Sequence, residues 1–101
     1  MKFEINGTEW TIKEVDEAII NNETKQDDTL GVTIYKTQEI LLLKTQANIM
    51  KTLKHELMHV WLYEYGHNQN EKEFNCEDIC EIVASSNDFI NEIVEKYKRL
   101  G

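Results

Sequence analysis

Proline is absent from this 101-residue sequence, glycine occurs four times and cysteine twice. Without proline or glycine-rich tracts there is no stiff or flexible linker to separate domains, and no repeat or low-complexity segment interrupts the chain. One domain over residues 1–101 is expected, small enough that its core must be economical. Cys76 and Cys80 are too few for a disulfide framework and, four apart on one helix, poorly placed to bridge each other, so two reduced thiols are expected. No apolar run approaches the roughly 20 residues of a membrane span. Basic residues are scarce as well, 11 against 19 acidic, for a net charge of -8 and a pI near 4.8. Such a field repels phosphate backbones and anionic membrane surfaces, so neither nucleic acid nor membrane is expected as a partner. The opening MKFEINGTEW has no extended apolar core after its lysine; no secretory signal is expected, and the cytoplasm is the expected compartment.

Alternation and turn chemistry organise the N-terminal half. In KFEINGTEWTI, Asn6-Gly7 is the preferred centre of a two-residue type I′ turn, which pairs Ile5 with Thr8 and Phe3 with Trp10. Phe3, Ile5, Trp10 and Ile12 then share one apolar face that a helix must cover. KEVDEAIINN offers Val15, Ala18 and Ile19 at helical spacing, and ETKQDDT reads as a polar loop. GVTIYKTQEILLL predicts two antiparallel strands. The continuous ILLL fits an interior strand buried on both faces, while Val32 to Tyr35 alternates and suits an edge.

Helical periodicity organises the rest. From about Asn48 to Tyr65, Ile49, Met50, Leu53, Leu57, Val60 and Trp61 fall on one stripe, and Gly66 is placed as a C-terminal cap. After HNQNEKE, a last helix is predicted from Asn75 towards Arg99, with Asn75 as N-cap, Asp78 in the third position, and Ile79, Val83, Ile90, Ile93 and Tyr97 as its stripe. ASSND is a point where it could bend. The predicted fold class is α+β: a small antiparallel or mixed sheet, a central helix and a C-terminal helix.

The central helix contains HELMH. His55 and His59, four apart, project from one helix face at the separation that two ligands of one tetrahedral metal require. Glu56 is rotated by about 100° from His55, beside such a metal rather than on it, where a general base belongs. The chemistry this predicts is hydrolysis: zinc acidifies bound water and polarises a carbonyl, while Glu56 takes the water proton and returns it to the leaving amine. Two histidines and one carboxylate also suit ferrous iron, but the intervening glutamate favours hydrolysis and one zinc ion.

A third ligand must come from elsewhere. The long-spaced pattern HExxHxxGxxH is excluded, because Leu62 holds its glycine position and Tyr65 its last histidine position. His67 lies just past the helix end and would need a sharp reversal to reach the metal. In NCEDICE, Glu77 follows His59 by 18 residues, and Glu81 stands one turn further on the same face. Glu77 is the leading candidate for the third ligand, and Glu81 for an acceptor that holds the imidazole N–H of one ligand histidine; Glu81, Asp78 and His67 remain alternatives as the ligand itself. On a helical wheel Glu77, Glu81 and Asp88 also look like a solvated face. His55 and His59 lie opposite their own apolar stripe too, so two polar faces could meet at a metal.

GVTIY, EILLL, TLKHELMHVWLYEYG and NCEDICE, in that order, resemble the small zincin-like metallopeptidases related to the ImmA/IrrE group, many of them carried by phages and mobile elements. The resemblance implies a minimal zincin-like domain and a zinc-dependent endopeptidase acting on a protein or peptide substrate. It matches His55 and His59 to the family's zinc ligands, Glu56 to its catalytic glutamate and Glu77 to its downstream acidic ligand. Glu81 stands where the ExxxD element of larger gluzincins has aspartate. A peptide would add as an extended strand along the sheet edge, with Val32 to Tyr35 the candidate edge. Tyr35, Tyr63, Tyr65 and His67 are all chemically able to stabilise an oxyanion. The competing readings are a catalytically weak or inactive zinc-binding phage regulator, and a metal-free interaction protein with HELMH on its surface.

Overall fold

Asn6 and Gly7 both have positive φ, 50° and 78°, as a type I′ turn demands. They join β1 (Lys2–Ile5) to β2 (Thr8–Val15) in the expected register, Phe3 opposite Trp10 and Ile5 opposite Thr8. The computed structural model describes residues 1–25, 29–67 and 76–100. After the hairpin come α1 (Glu17–Thr24), β3 (Gly31–Ile34), β4 (Glu39–Leu43), α2 (Ile49–Glu64) and α3 (Cys76–Leu100). The protein is thus a small α+β domain.

The sheet is mixed, in the order β1-β2-β4-β3. β1 with β2 and β3 with β4 are antiparallel, whereas β2 and β4 are parallel and are joined through α1 and β3. β4 is interior, which explains the unbroken ILLL: Ile40, Leu41 and Leu42 are all buried. Strand alternation sends Ile40 and Leu42 into the main core with Phe3, Ile5, Trp10 and Ile12, beneath Leu53, Leu57 and Val60 of α2 and Ile90, Ile93 and Val94 of α3. Full burial of each such aliphatic side chain stabilises the fold by about 1.5–3 kcal/mol. Leu41 points to the other face, where α1 lies against β3 and β4 with Ile20 fully buried.

Two ties orient α2. At its C-terminal end the Trp10 indole N–H donates to Glu64 Oε2 at 2.7 Å and the Asn6 side-chain amide donates to the Glu64 carbonyl at 2.9 Å. The helix closes as a Schellman motif: the His67 N–H bonds Leu62 O, the Gly66 N–H bonds Tyr63 O, and Gly66 has φ 79°. At the N-terminal end the Asn48 side chain accepts from the Lys51 N–H.

Four expectations need correction. β2 continues to Val15, which pairs with Leu43 rather than starting a helix, because parallel pairing with the buried β4 extends the strand. In α1 the inward residue is Ile20, and Ile19 is half exposed. α3 runs unbroken through ASSND, with Ser86 facing inward and its Oγ satisfied by Val83 O. Its inward residues are Ile82, Ser86, Ile90, Ile93 and Val94, while Ile79 and Val83 are 50% and 51% exposed. Periodicity reports which face of a helix is apolar, not which flank of that face the rest of the fold covers at each turn. The proposed N-cap Asn75 and most of HNQNEKE lie outside the described residues.

Two polar contacts close the rim. Lys13 pairs with Glu39 across β2 and β4, and this hydrogen bond, with a second from Thr37, holds the Glu39 carboxyl below its ordinary 4.5. Tyr97 of α3 donates to Glu14 of β2, and burial together with this bond pushes the phenol above its ordinary range.

Candidate metal centre

HELMH sits mid-helix, and two residues of β3 and one just past its end decide how it is presented. Alternation along β3 turns Gly31 and Thr33 towards α2, with Tyr35 next in the series. Gly31 allows contact between strand and helix: a methyl group there would stand 2.6 Å from Thr52 Cγ2 and 3.3 Å from Glu56 Cγ. Thr33 Oγ1 donates to Glu56 Oε1 at 2.8 Å. Tyr35 packs on Tyr63 with ring centroids 4.6 Å apart, and both contact Trp10 edge-on.

Glu56 is 6% exposed, the one buried carboxylate among the described residues. Desolvation would penalise its charge, and the Thr33 hydroxyl offsets that by donating a charge-assisted bond to one oxygen. The other oxygen, Oε2, lies beside Gly31, and Glu56 together with His55 borders an open groove of about 720 Å³. The carboxylate is therefore held at one oxygen by Thr33 at the edge of the groove, an arrangement that suits a general base.

The imidazoles of His55 and His59 turn their Nε2 atoms towards each other at 3.3 Å. Two nitrogens bound tetrahedrally to one zinc at about 2.0–2.1 Å would lie about 3.3–3.4 Å apart. The Nε2 separation therefore matches that of two ligands on one zinc. At that distance a tautomer with one N–H also allows a long hydrogen bond between the rings.

The remaining candidates divide. Glu77 and Glu81 are exposed in the first turns of α3, and Glu81 accepts from Ser85 on its own helix at 3.3 Å. Among the described residues no third His, Cys, Asp or Glu joins the two histidines in a metal-sized cluster. His67 stacks on Trp61 with ring planes 17° apart, and Tyr65 packs on the same indole. Tyr63 instead continues the His55 and His59 stripe by one turn.

Sequence reasoning missed Thr33, and the missing signal was available: in GVTIY a threonine shares the inward face with glycine and tyrosine, an odd place for a hydroxyl without a partner. It also missed Gln46, for which no local pattern exists. The Gln46 side-chain amide donates to Leu30 O at 2.9 Å and Leu43 O at 2.8 Å and accepts from Thr52, so one side chain locks the β4–α2 connection to the start of β3.

Comparison with known proteins finds no matching family model, no matching curated protein and no matching solved structure.

Proposed function

We propose that the chain is a zinc-dependent metallopeptidase built on a minimal zincin-like domain, cleaving extended peptides laid along β3. The observation that carries this reading is the pair of Nε2 atoms 3.3 Å apart beside a buried carboxylate that Thr33 anchors on one oxygen at the edge of the groove. His55, His59 and Glu77 would hold the ion, with Glu81 as the neighbouring acceptor. Bound there, zinc supplies water that ionises near neutral pH and polarises a carbonyl oxygen. Glu56 takes the proton of the attacking water on Oε2 and delivers it to the leaving amine, while the Thr33 hydroxyl keeps Oε1 from rotating away. Of the four candidate oxyanion donors, Tyr63 is favoured here because it continues the histidine stripe and packs on Tyr35.

The edge supports the substrate geometry. Leu43 N–H bonds Leu30 O, and the pairs along β3 and β4 then alternate, so Gly31 and Thr33 are non-hydrogen-bonded positions whose N–H and C=O point away from β4. These groups face the outer edge of the sheet beside Glu56, ready to pair with an added strand.

The test is zinc content of purified protein by mass spectrometry, with hydrolysis of an unfolded protein such as casein measured in parallel. Wild type should bind one zinc; His55→Ala, His59→Ala and Glu77→Ala should lose it, and Glu81→Ala should keep it. Glu56→Gln should keep zinc and lose hydrolysis. Wild type that takes up no zinc refutes the reading.

A further inference from the structure

The groove reaches well past His55. From Glu56 and His55 it runs along the first turns of α2 towards Leu30, Leu43 and Ala47, with Lys51 on its rim. Its walls are mainly apolar, and Lys51 is the sole ammonium lining it, with no ion pair among the described residues. In a chain of net charge -8, a cation beside an apolar trough is a local exception. Screening over about 8 Å makes that local charge, not the distant field, decisive for what lies in the groove.

Direction follows from the strand. β3 starts at Gly31 near Thr52 and proceeds along α2 towards Tyr35 near Tyr63. A peptide added antiparallel to β3, the slightly more stable pairing, therefore enters near Tyr35 and leaves near Gly31. Its C-terminal side falls into the groove. From Glu56 to Lys51 is five helical residues, about 7.5 Å of rise, which an extended peptide covers in two to three residues.

Resting on the peptidase reading above, we infer that this groove selects the substrate on the C-terminal side of the cleaved bond, taking an apolar side chain against Leu30, Leu43 and Ala47 and an acidic group, side chain or terminal carboxylate, opposite Lys51 two to three residues downstream. The preferred substrate is thus an apolar-acidic segment, and Lys51 is a specificity residue with no part in the chemistry. Gln46 keeps the groove in shape by tying the β4–α2 connection to Leu30 and Thr52.

The experiment uses the full chain carrying Glu56→Gln, so that nothing is cleaved, and two acetylated hexapeptides, Ala-Ala-Leu-Leu-Ala-Asp and Ala-Ala-Leu-Leu-Ala-Lys, both amidated at the C-terminus. Binding is followed by amide NMR shifts. The Asp peptide should bind about threefold tighter than the Lys peptide, as expected for one partly exposed charge pair. Shifts should concentrate at Gly31, Thr33, Ala47 and Lys51, and Lys51→Glu should reverse the preference. Lys51→Glu is expected to fold, since an acid in the first turn of a helix is favourable. Should Glu56→Gln not fold, wild type stripped of metal with EDTA takes its place. Equal affinities, no binding of either peptide, a preference unmoved by Lys51→Glu, or shifts away from the groove would each overturn the inference. Zinc uptake and casein hydrolysis by wild type are scored separately. If both are absent, the peptidase reading fails, and the peptide titration still decides whether the groove selects acidic segments.

Discussion

Gly31→Ala is the substitution that most directly probes how the site is built. Gly31 has no left-handed backbone requirement, so its need for glycine is purely one of space. Elsewhere in a strand, replacing glycine with alanine removes unfolded-state entropy and would stabilise by about 0.4–1 kcal/mol. Here the new methyl lands 2.6 Å from Thr52 Cγ2, far inside van der Waals contact. Thr52 cannot simply swing away: it is β-branched in a helix, and its hydroxyl is engaged by Gln46. Overpacking of this kind costs about 1–3 kcal/mol, so the expected net loss is about 1–2 kcal/mol. In a domain of this size that lowers Tm by roughly 4–16 °C. The assay is urea unfolding followed by tryptophan fluorescence. Thr52→Ser removes the offending methyl and keeps the hydroxyl, so Gly31→Ala with Thr52→Ser should recover most of the loss, a coupling above about 0.5 kcal/mol in the double-mutant cycle. A Gly31→Ala protein as stable as wild type, or additive behaviour with Thr52→Ser, refutes the claim that β3 and α2 meet tightly there.

Other outcomes follow from the same contacts. Thr33→Val preserves shape but leaves a buried carboxylate oxygen of Glu56 without its donor; a loss of about 1.5–3 kcal/mol in urea unfolding at neutral pH is expected. Glu39 has its folded pKa depressed, so its contribution is complete above its ordinary value of 4.5 and is lost as pH falls through the lower folded value. Glu39→Gln should accordingly flatten the acid limb of the stability profile below pH 4.5 and leave its slope near neutrality unchanged. The Tyr97 phenol is raised, so its contribution is complete below the ordinary 10.0 and is lost as pH climbs above it. An alkaline titration at 295 nm should show one of the four tyrosines ionising late, and Tyr97→Phe should abolish that late step. On α3, Ile82→Ala should cost about 2–4 kcal/mol, while the half-exposed Ile79→Ala should stay within about 0.5 kcal/mol in the same unfolding assay.

Much of the local structure was legible because it is written in short-range chemistry. Asn6-Gly7 dictates a turn, the turn dictates register, and register puts Phe3, Ile5, Trp10 and Ile12 on one face, as observed. The unbroken apolar run at Ile40 to Leu42 marked an interior strand, and Gly66 marked the end of α2. What was not legible depends on where elements lie relative to one another. Ile79 and Val83 belong to an apolar stripe of which only the flank carrying Ile82 is covered at that level of α3. Val15 could join a helix or a strand until the parallel partner β4 was placed beside β2. For the site, the spacing of His55, Glu56 and His59 was readable from helix geometry alone. Thr33, Gln46 and Gly31 act through contacts of six to 25 positions along the chain; GVTIY hints that Thr33 needs a partner, but no local pattern says which one.

β3 couples the two halves of the proposed chemistry through a single geometric fact. At Gly31 and Thr33 the side-chain direction faces α2 while the backbone N–H and C=O face the outer edge of the sheet. The inward direction positions Glu56, since Gly31 admits it and Thr33 fixes one of its oxygens. The outward direction would set the register of a bound peptide, since the same residues offer the hydrogen bonds an added strand would use. A shift of β3 by one residue would exchange Thr33 for an aliphatic neighbour against Glu56 and turn the free amides inward together. The register is therefore pinned from both ends, by Gln46 bonding Leu30 at the start of the strand and by the Tyr35–Tyr63–Trp10 cluster just past its end. Loosening either pin should degrade peptide binding and the placement of Glu56 together, whereas a change on the outer rim such as Lys51→Glu should alter selection alone.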